Sequence, residues 1–264
     1  ELDATNDRDK YDLDLSRIDL DIPVLTGASF NLWNPDHGDP YGKADSESLF
    51  AHLLSKAQRT TRLSSSAFFE MNVKSIEDHP ISKSRIAFRG VSRSNDSRTA
   101  IFCLLPPKVT FVHQAPCLLR RYGTEVDEAF VLGILSSIPF DWYTRRWVET
   151  GLAFYILAAA PVPRPTRDHP LRLRVVELSG RLAAVDERFG EWAEAVGVPV
   201  GTLTDDNPEE KDAAIAELDA LSALLYGLDW DDVTHIFETF HRGWDYTERL
   251  AKVRLYFDQW KGQA

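Results

Sequence analysis

Two cysteines, one methionine and no long apolar run in 264 residues already exclude several classes of protein. Cys103 and Cys117 are separated by 13 residues and no CxxC occurs. A disulfide framework or a structural zinc site is therefore not expected, and a reducing, cytoplasmic setting is. Both cysteines read as small buried thiols. The longest apolar run, Leu152 to Val162, falls short of the ~18–20 residues of a membrane span. The sequence opens at Glu1 without an initiator methionine, which reads as a processed product or a piece of a longer polypeptide.

Catalytic signatures are missing as well. No GxGxxG or GxxxxGK[ST] loop is present to cradle phosphates, and no GxSxG elbow, HExxH or HRD set occurs. Glu209-Glu210-Lys211 follows Asp205 and Asp206, but Pro208 marks the place as a helix start, where acidic residues complement the dipole. His235, Glu238 and His241 lie three residues apart and read as a solvated helix face rather than a metal site. Asp36, His37 and Asp39 sit among Pro and Gly and read as a turn. No pair of carboxylates stands out as a hydrolase site, and no catalytic or metal-ligating residue is assigned.

What remains is a folded chain, 44% hydrophobic and 27% charged, with strongly segregated charge. Residues 1–50 carry 4 basic and 12 acidic side chains, whereas residues 51–122 carry 12 basic and 4 acidic. Residues 123–176 balance at 6 and 6, and residues 177–264 carry 8 basic and 19 acidic. The total of −11 hides a basic block that suits a polyanion, set in an acidic body. The same arginines could equally pair with the acidic N-terminal stretch.

Hydrophobic periodicity predicts an α/β (α+β) fold, a mixed-sheet domain over 1–165 followed by a helical domain over 166–264. The Asp-rich residues 1–21 read as a loose start. Ile22–Leu25, Phe30–Trp33 and Ala67–Met71 are short apolar bursts between turn signals, and Ser46–Arg62 has helical spacing with Ser46 as cap. Arg85–Phe88, Thr99–Leu105 and Val109–His113 read as strands, the first with a period of two. Glu125–Ser137 reads as a buried helix continuing, bent at Pro139, into Phe140–Arg146. Phe154–Ala160 reads as an apolar strand or turn. Pro161, Pro163 and Pro165 form an extended connector and the expected domain boundary. Beyond it, Val175, Leu178, Leu182, Val185, Phe189, Trp192 and Val196 make a heptad seam, and Ala214, Leu218, Leu221 and Leu225 a second one. These predict an antiparallel helix pair, with further helices over Asp229–Phe240 and Trp244–Trp260.

One segment rises above this background: Arg85-Ile86-Ala87-Phe88-Arg89-Gly90-Val91-Ser92-Arg93-Ser94-Asn95-Asp96-Ser97-Arg98-Thr99. Arginine can fork onto guanine edges or phosphates and asparagine can pair with adenine, so Arg89, Arg93, Ser94, Asn95 and Arg98 are candidate DNA contacts. Lys74, Lys83, Arg145 and Arg146 are candidates for the phosphate backbone, the last two beside Trp142 and Trp147.

This segment, with Leu104-Leu105-Pro106-Pro107 after it, resembles a block in the C-terminal target-recognition region of adenine-specific DNA methyltransferases. The similar branch comprises type IIG restriction–modification enzymes and methyltransferases of BREX-like phage-defence systems. Three further stretches are similar to the same family in the same order: Ala129–Ser137 with Phe140-Asp141-Trp142, Phe154–Leu157 with Pro161-Val162-Pro163, and Leu221–Leu228 with Asp231-Asp232 and Ile236-Phe237. The likeness spans about residues 22–240. The family's FxGxG cofactor loop and [ND]PP[YF] catalytic tetrapeptide are missing; Asn34-Pro35-Asp36 lacks the second proline and the aromatic. The resemblance thus implies a sequence-specific domain for double-stranded DNA, with S-adenosyl-methionine and catalysis on another part of the parent polypeptide and no cofactor here. The rival expectation is a protein–protein docking module of a restriction or defence complex, acting through the acidic helical half.

Overall fold

A computed structural model describes residues 1–264. The protein is α+β, with small sheets followed by a helical C-terminal part. It divides into two compact units, one of residues 1–90 and 103–121, the other of residues 91–102 and 122–264. The chain leaves the first unit after Gly90, contributes twelve residues to the second, and returns at Cys103. No helix is long and apolar enough to cross a membrane.

The first unit is built on β1 (Ile22–Leu25), β2 (Gly42–Ala44), α1 (Ser46–Thr60), β3 (Arg85–Phe88), β4 (Phe102–Leu105) and β5 (Thr110–Phe111). One sheet runs β2-β1-β5, with β1 antiparallel to β2 and parallel to β5. Pro23 is tolerated in its middle strand because its partner Lys43 turns both backbone groups to Asp12, at 2.7 and 2.8 Å. Strand alternation then sorts the core. Ile22 and Val24 join Leu49 and Leu53 of α1 on one face, while Leu25 and Phe111 join Phe30, Ala87 and Leu105 on the other. β3 pairs with β4, and all four of its residues are buried. Both faces of the strand expected over Arg85–Phe88 are therefore covered.

Residues 1–21, expected to be loose, are tied down. Leu2 bridges to Val112 and donates its N–H to the Phe111 carbonyl at 2.9 Å, and Tyr11 is buried. Asp45, one residue before the expected cap, accepts from the Ser48 N–H at 2.7 Å and starts α1. Phe30–Trp33 and Ala67–Met71 form turns instead of strands.

The second unit contains α2 (Glu125–Leu135), α3 (Ile138–Thr144), α4 (Phe154–Ala159), α5 (Pro170–Ala183), α6 (Gly190–Val196), α7 (Pro208–Leu225), α8 (Trp230–Phe240) and α9 (Thr247–Trp260). α2 opens with a capping box between Thr124 and Asp127. α3 is a separate helix, not a bent continuation, with Ser137 as its cap and Pro139 in its first turn. Phe154–Ala159 is helical, where a strand or turn was expected; six apolar residues do not distinguish the two by pattern.

The long heptad seam does not form one helix. Gly201 N–H bonds the Ala184 carbonyl at 2.8 Å, and α6 folds back so that a Cβ on Gly180 would lie 3.0 Å from Val196 Cγ1. In a continuous helix those two residues would stand about 24 Å apart along the axis. α5 packs on both α2 and α7, and α7 on α9. This explains why the units do not part at the prolines: residues 161–165 are extended but join α4 to α5 inside the second unit, with Tyr226 Oη donating to the Pro161 carbonyl at 2.8 Å.

Two outcomes follow from this packing. A Cβ on Gly133 would meet Val175 Cγ1 at 2.7 Å and Ser179 Cβ at 3.1 Å across the α2–α5 contact. Gly133→Ala is therefore expected to lower unfolding free energy in urea by about 1–2 kcal/mol, overcompression outweighing the gain in helix propensity. Burial of the His79 imidazole, whose Nδ1 accepts from the Ile81 N–H at 3.1 Å, lowers its pKa to about 4. The unfolded chain takes up that proton first, so stability should fall by up to about 3 kcal/mol as pH drops from 6.5 towards 4. Urea unfolding across that range should show a shallower loss in His79→Asn, whose Oδ1 offers Ile81 an acceptor at the position of Nδ1.

Candidate nucleic-acid interface

The arginine-rich segment straddles both units and splits chemically where it crosses. In the first unit Arg85 is buried, its guanidinium engaged by Glu1 and by the Val109 carbonyl at 2.5 Å, and it lies over the Phe111 ring. Arg89 donates to the Phe30 carbonyl through Nε at 3.1 Å and Nη2 at 2.6 Å. Its aliphatic stem covers Gly27, where a Cβ would meet Arg89 Cγ at 3.4 Å. Lys74 and Lys83, also in this unit, are exposed.

Residues 91–98 form a polar loop in the second unit, and Arg93, Ser94, Asn95, Asp96 and Ser97 are all exposed. Two bonds close it: the Asp96 carboxylate accepts from Arg93 N–H at 2.8 Å, and the Arg93 carbonyl accepts from Asp96 N–H at 3.1 Å. Thr99 Oγ1 also donates to the Arg93 carbonyl at 2.9 Å. These bonds use backbone and support groups. The Arg93 guanidinium and the Ser94 and Asn95 side chains make no hydrogen bond within the protein and face outward.

Beneath the loop lies Asp141 of α3, with no exposed surface. Its carboxylate accepts from Arg98 Nε at 2.7 Å, from Thr99 N–H at 3.1 Å and from Arg145 Nη2 at 3.5 Å. Arg98 also donates to the Ser136 carbonyl at 2.7 Å. Arg145 is buried, bonds the Phe240 carbonyl, lies 3.8 Å above the Phe240 ring, and reaches the Asp96 carbonyl at 3.5 Å. Burial pushes the Arg145 pKa down, while the Asp141 carboxylate works against it. Two guanidinium groups thus share one buried carboxylate and hold the C-terminal side of the loop, at Asp96, Arg98 and Thr99.

Of the candidate contacts, the structure brings Arg93, Ser94 and Asn95 together at an exposed tip. Arg89, Arg98 and Arg145 are turned inward, where backbone carbonyls and Asp141 accept from them. Arg146, next to Arg145 but exposed, stacks its guanidinium 3.6 Å from the Trp142 ring centre. Asp141 is the residue sequence reasoning missed. It stood in view in Phe140-Asp141-Trp142, since an acidic residue amid an apolar run asks for a buried cation. No group of three or more His, Cys, Asp or Glu is placed to hold a metal ion; His235 instead packs edge-on to Trp142, 6.1 Å between ring centres.

Asp141→Asn keeps the shape but removes the charge both guanidiniums need, so unfolding free energy should fall by about 3 kcal/mol. Amide hydrogen exchange should accelerate over residues 93–99 before it does in α5 or α7. Unchanged exchange in the loop would show that the carboxylate does not brace it.

No protein-family model matches the chain, and no curated protein sequence matches it. Over 83% of its length the chain is similar to a solved structure of the type IIL restriction–modification enzyme MmeI in complex with DNA, at 16% sequence identity and a TM-score of 0.41; it spans 30% of that protein's chain.

Proposed function

We propose that this chain is a recognition domain for double-stranded DNA, the part of a modifying enzyme that selects the sequence while another part carries the chemistry. The observation that supports this best is the Arg93-Ser94-Asn95 tip, whose side chains have no internal partners although the loop beneath is braced by a buried carboxylate. A tip held this way meets a base edge without first losing backbone freedom. Arg93 is suited to guanine or a phosphate and Asn95 to adenine, with Ser94 as a short donor or acceptor beside them. Arg146, and on the first unit Lys74 and Lys83, are suited to phosphates. Arg89, Arg98 and Arg145 take supporting roles.

The finer reading rests on the sequence resemblance. There the parent is an adenine-N6 DNA methyltransferase or a fused restriction–modification enzyme of a phage-defence system in the cytoplasm. S-adenosyl-methionine binds its separate catalytic part, which receives the target adenine outside the duplex. A second reading, a protein-docking module, is favoured by Leu173 and Leu255, 54% and 71% exposed on α5 and α9.

Duplex binding measured against salt tests the proposal. With about five phosphates neutralised, log K should fall with a slope of about −4 to −5 against log salt. Arg93→Ala should weaken binding by about 1–3 kcal/mol with unfolding unchanged, whereas Arg98→Ala should lower stability. Equal affinity and equal site preference in Arg93→Ala would sink the tip assignment. No binding at low salt, together with oligomers in light scattering, would favour the docking reading.

A further inference from the structure

The arginines of the second unit are mostly engaged by carboxylates: Arg172 by Asp127 at 2.5 Å, Arg174 by Glu217 at 2.8 Å, Arg249 by Asp219 at 3.1 Å, and Arg98 and Arg145 by Asp141. Arg146 departs from this pattern. Its guanidinium lies over the Trp142 indole at 3.6 Å, and it makes no ion pair. Trp142 is itself held in place: Nε1 donates to Thr239 Oγ1 at 2.9 Å, and His235 packs against it edge-on. The guanidinium therefore rests on a fixed aromatic floor, leaving one flat side and its N–H edge open. One residue further, Trp147 is 61% exposed, its ring 6.2 Å from Tyr143 at an interplanar angle of 51°.

A held cation without an anion, followed in the chain by an exposed indole that packs on Tyr143, suits a ligand that joins a flat ring to a negative charge. A nucleotide has both. Bases inside a duplex keep their faces stacked on each other, so only an unpaired base can use the indole or the open side of the guanidinium. We infer that Trp142, Arg146 and Trp147 form a stacking ledge for an unpaired base in a DNA strand. The inference rests on the DNA-binding reading and extends it from the duplex to a local break in pairing.

The test compares three probes on the full chain: a matched duplex, the same duplex with one bulged 2-aminopurine, and one with a bulged abasic nucleotide. The bulged 2-aminopurine should bind about tenfold tighter than the matched duplex, in line with base–aromatic stacking, and its fluorescence should fall on binding. The abasic bulge should lose that advantage. Trp147→Ala, at an exposed position outside the duplex-reading tip, should abolish both the preference and the quenching while keeping matched-duplex affinity; Trp147→Phe should restore part of each. Matched-duplex binding without a bulge preference, or a preference that survives in Trp147→Ala, would overturn the ledge and leave the duplex reading intact. Loss of binding to all three probes would remove that reading and the ledge with it. A wild-type dimer dissolved by Trp147→Ala would give the surface to a second copy of the chain and overturn the inference.

Discussion

A carboxylate removed from water needs close cations or donors to replace its hydration, and Asp141 has both. It accepts from two guanidinium groups and a backbone N–H while having no exposed surface. Each ion costs several kcal/mol to bury, so geometry must return that cost through pairing. The geometry available is narrow: Arg98 must approach from the loop and Arg145 from one turn further along α3. Satisfying the charge therefore fixes where the polar loop ends. Placement of the Arg93-Ser94-Asn95 tip is a consequence of that constraint.

α3 has only seven residues and could not persist by itself. A second buried carboxylate holds its other end. Asp219 of α7 accepts from Ile138 N–H at 2.8 Å, at the positive end of the helix, and from Arg249 of α9 at 3.1 Å. Ser222 of α7 and the capping Ser137 share a hydrogen bond at 2.8 Å. The helical bundle thus holds the start of α3, and the end of α3 holds the loop. The acidic character of the C-terminal half, which reads from composition as a solvated body, includes carboxylates working in the interior.

Local rules made much of the fold legible. β1, α1, α2, α7 and α8 lie close to where periodicity and caps put them, because their signals fall within a few residues of one another. The errors share a cause. Seam residues from Val175 to Phe189 keep heptad spacing and most are buried, yet the backbone breaks between them, because α6 gains more by folding onto Gly180 than by extending α5. For the basic block from 51 to 122 the sequence left a polyanion surface and internal pairing both open; Arg85, Arg89 and Arg98 find partners 84, 59 and 43 residues away, the first of them Glu1 of the acidic N-terminal stretch. No local pattern encodes those distances. Residue type marked the segment, but it did not separate the outward Arg93, Ser94 and Asn95 from the inward Arg89 and Arg98, and it did not find Asp141.

That division has an energetic meaning. Arg93, Ser94 and Asn95 contribute no internal side-chain bonds, so replacing them should change stability by no more than about 0.5 kcal/mol. Asp141, Arg98 and Arg145 sit in one coupled network, where losing a partner strands a buried charge. Substitutions can therefore accumulate at the tip without disturbing the support, while the support tolerates little. A loop built this way separates its exposed tip from the groups that hold the tip in place. The division also sorts four arginines within fourteen residues: Arg85, Arg89 and Arg98 bond within the protein, and the Arg93 side chain stays exposed.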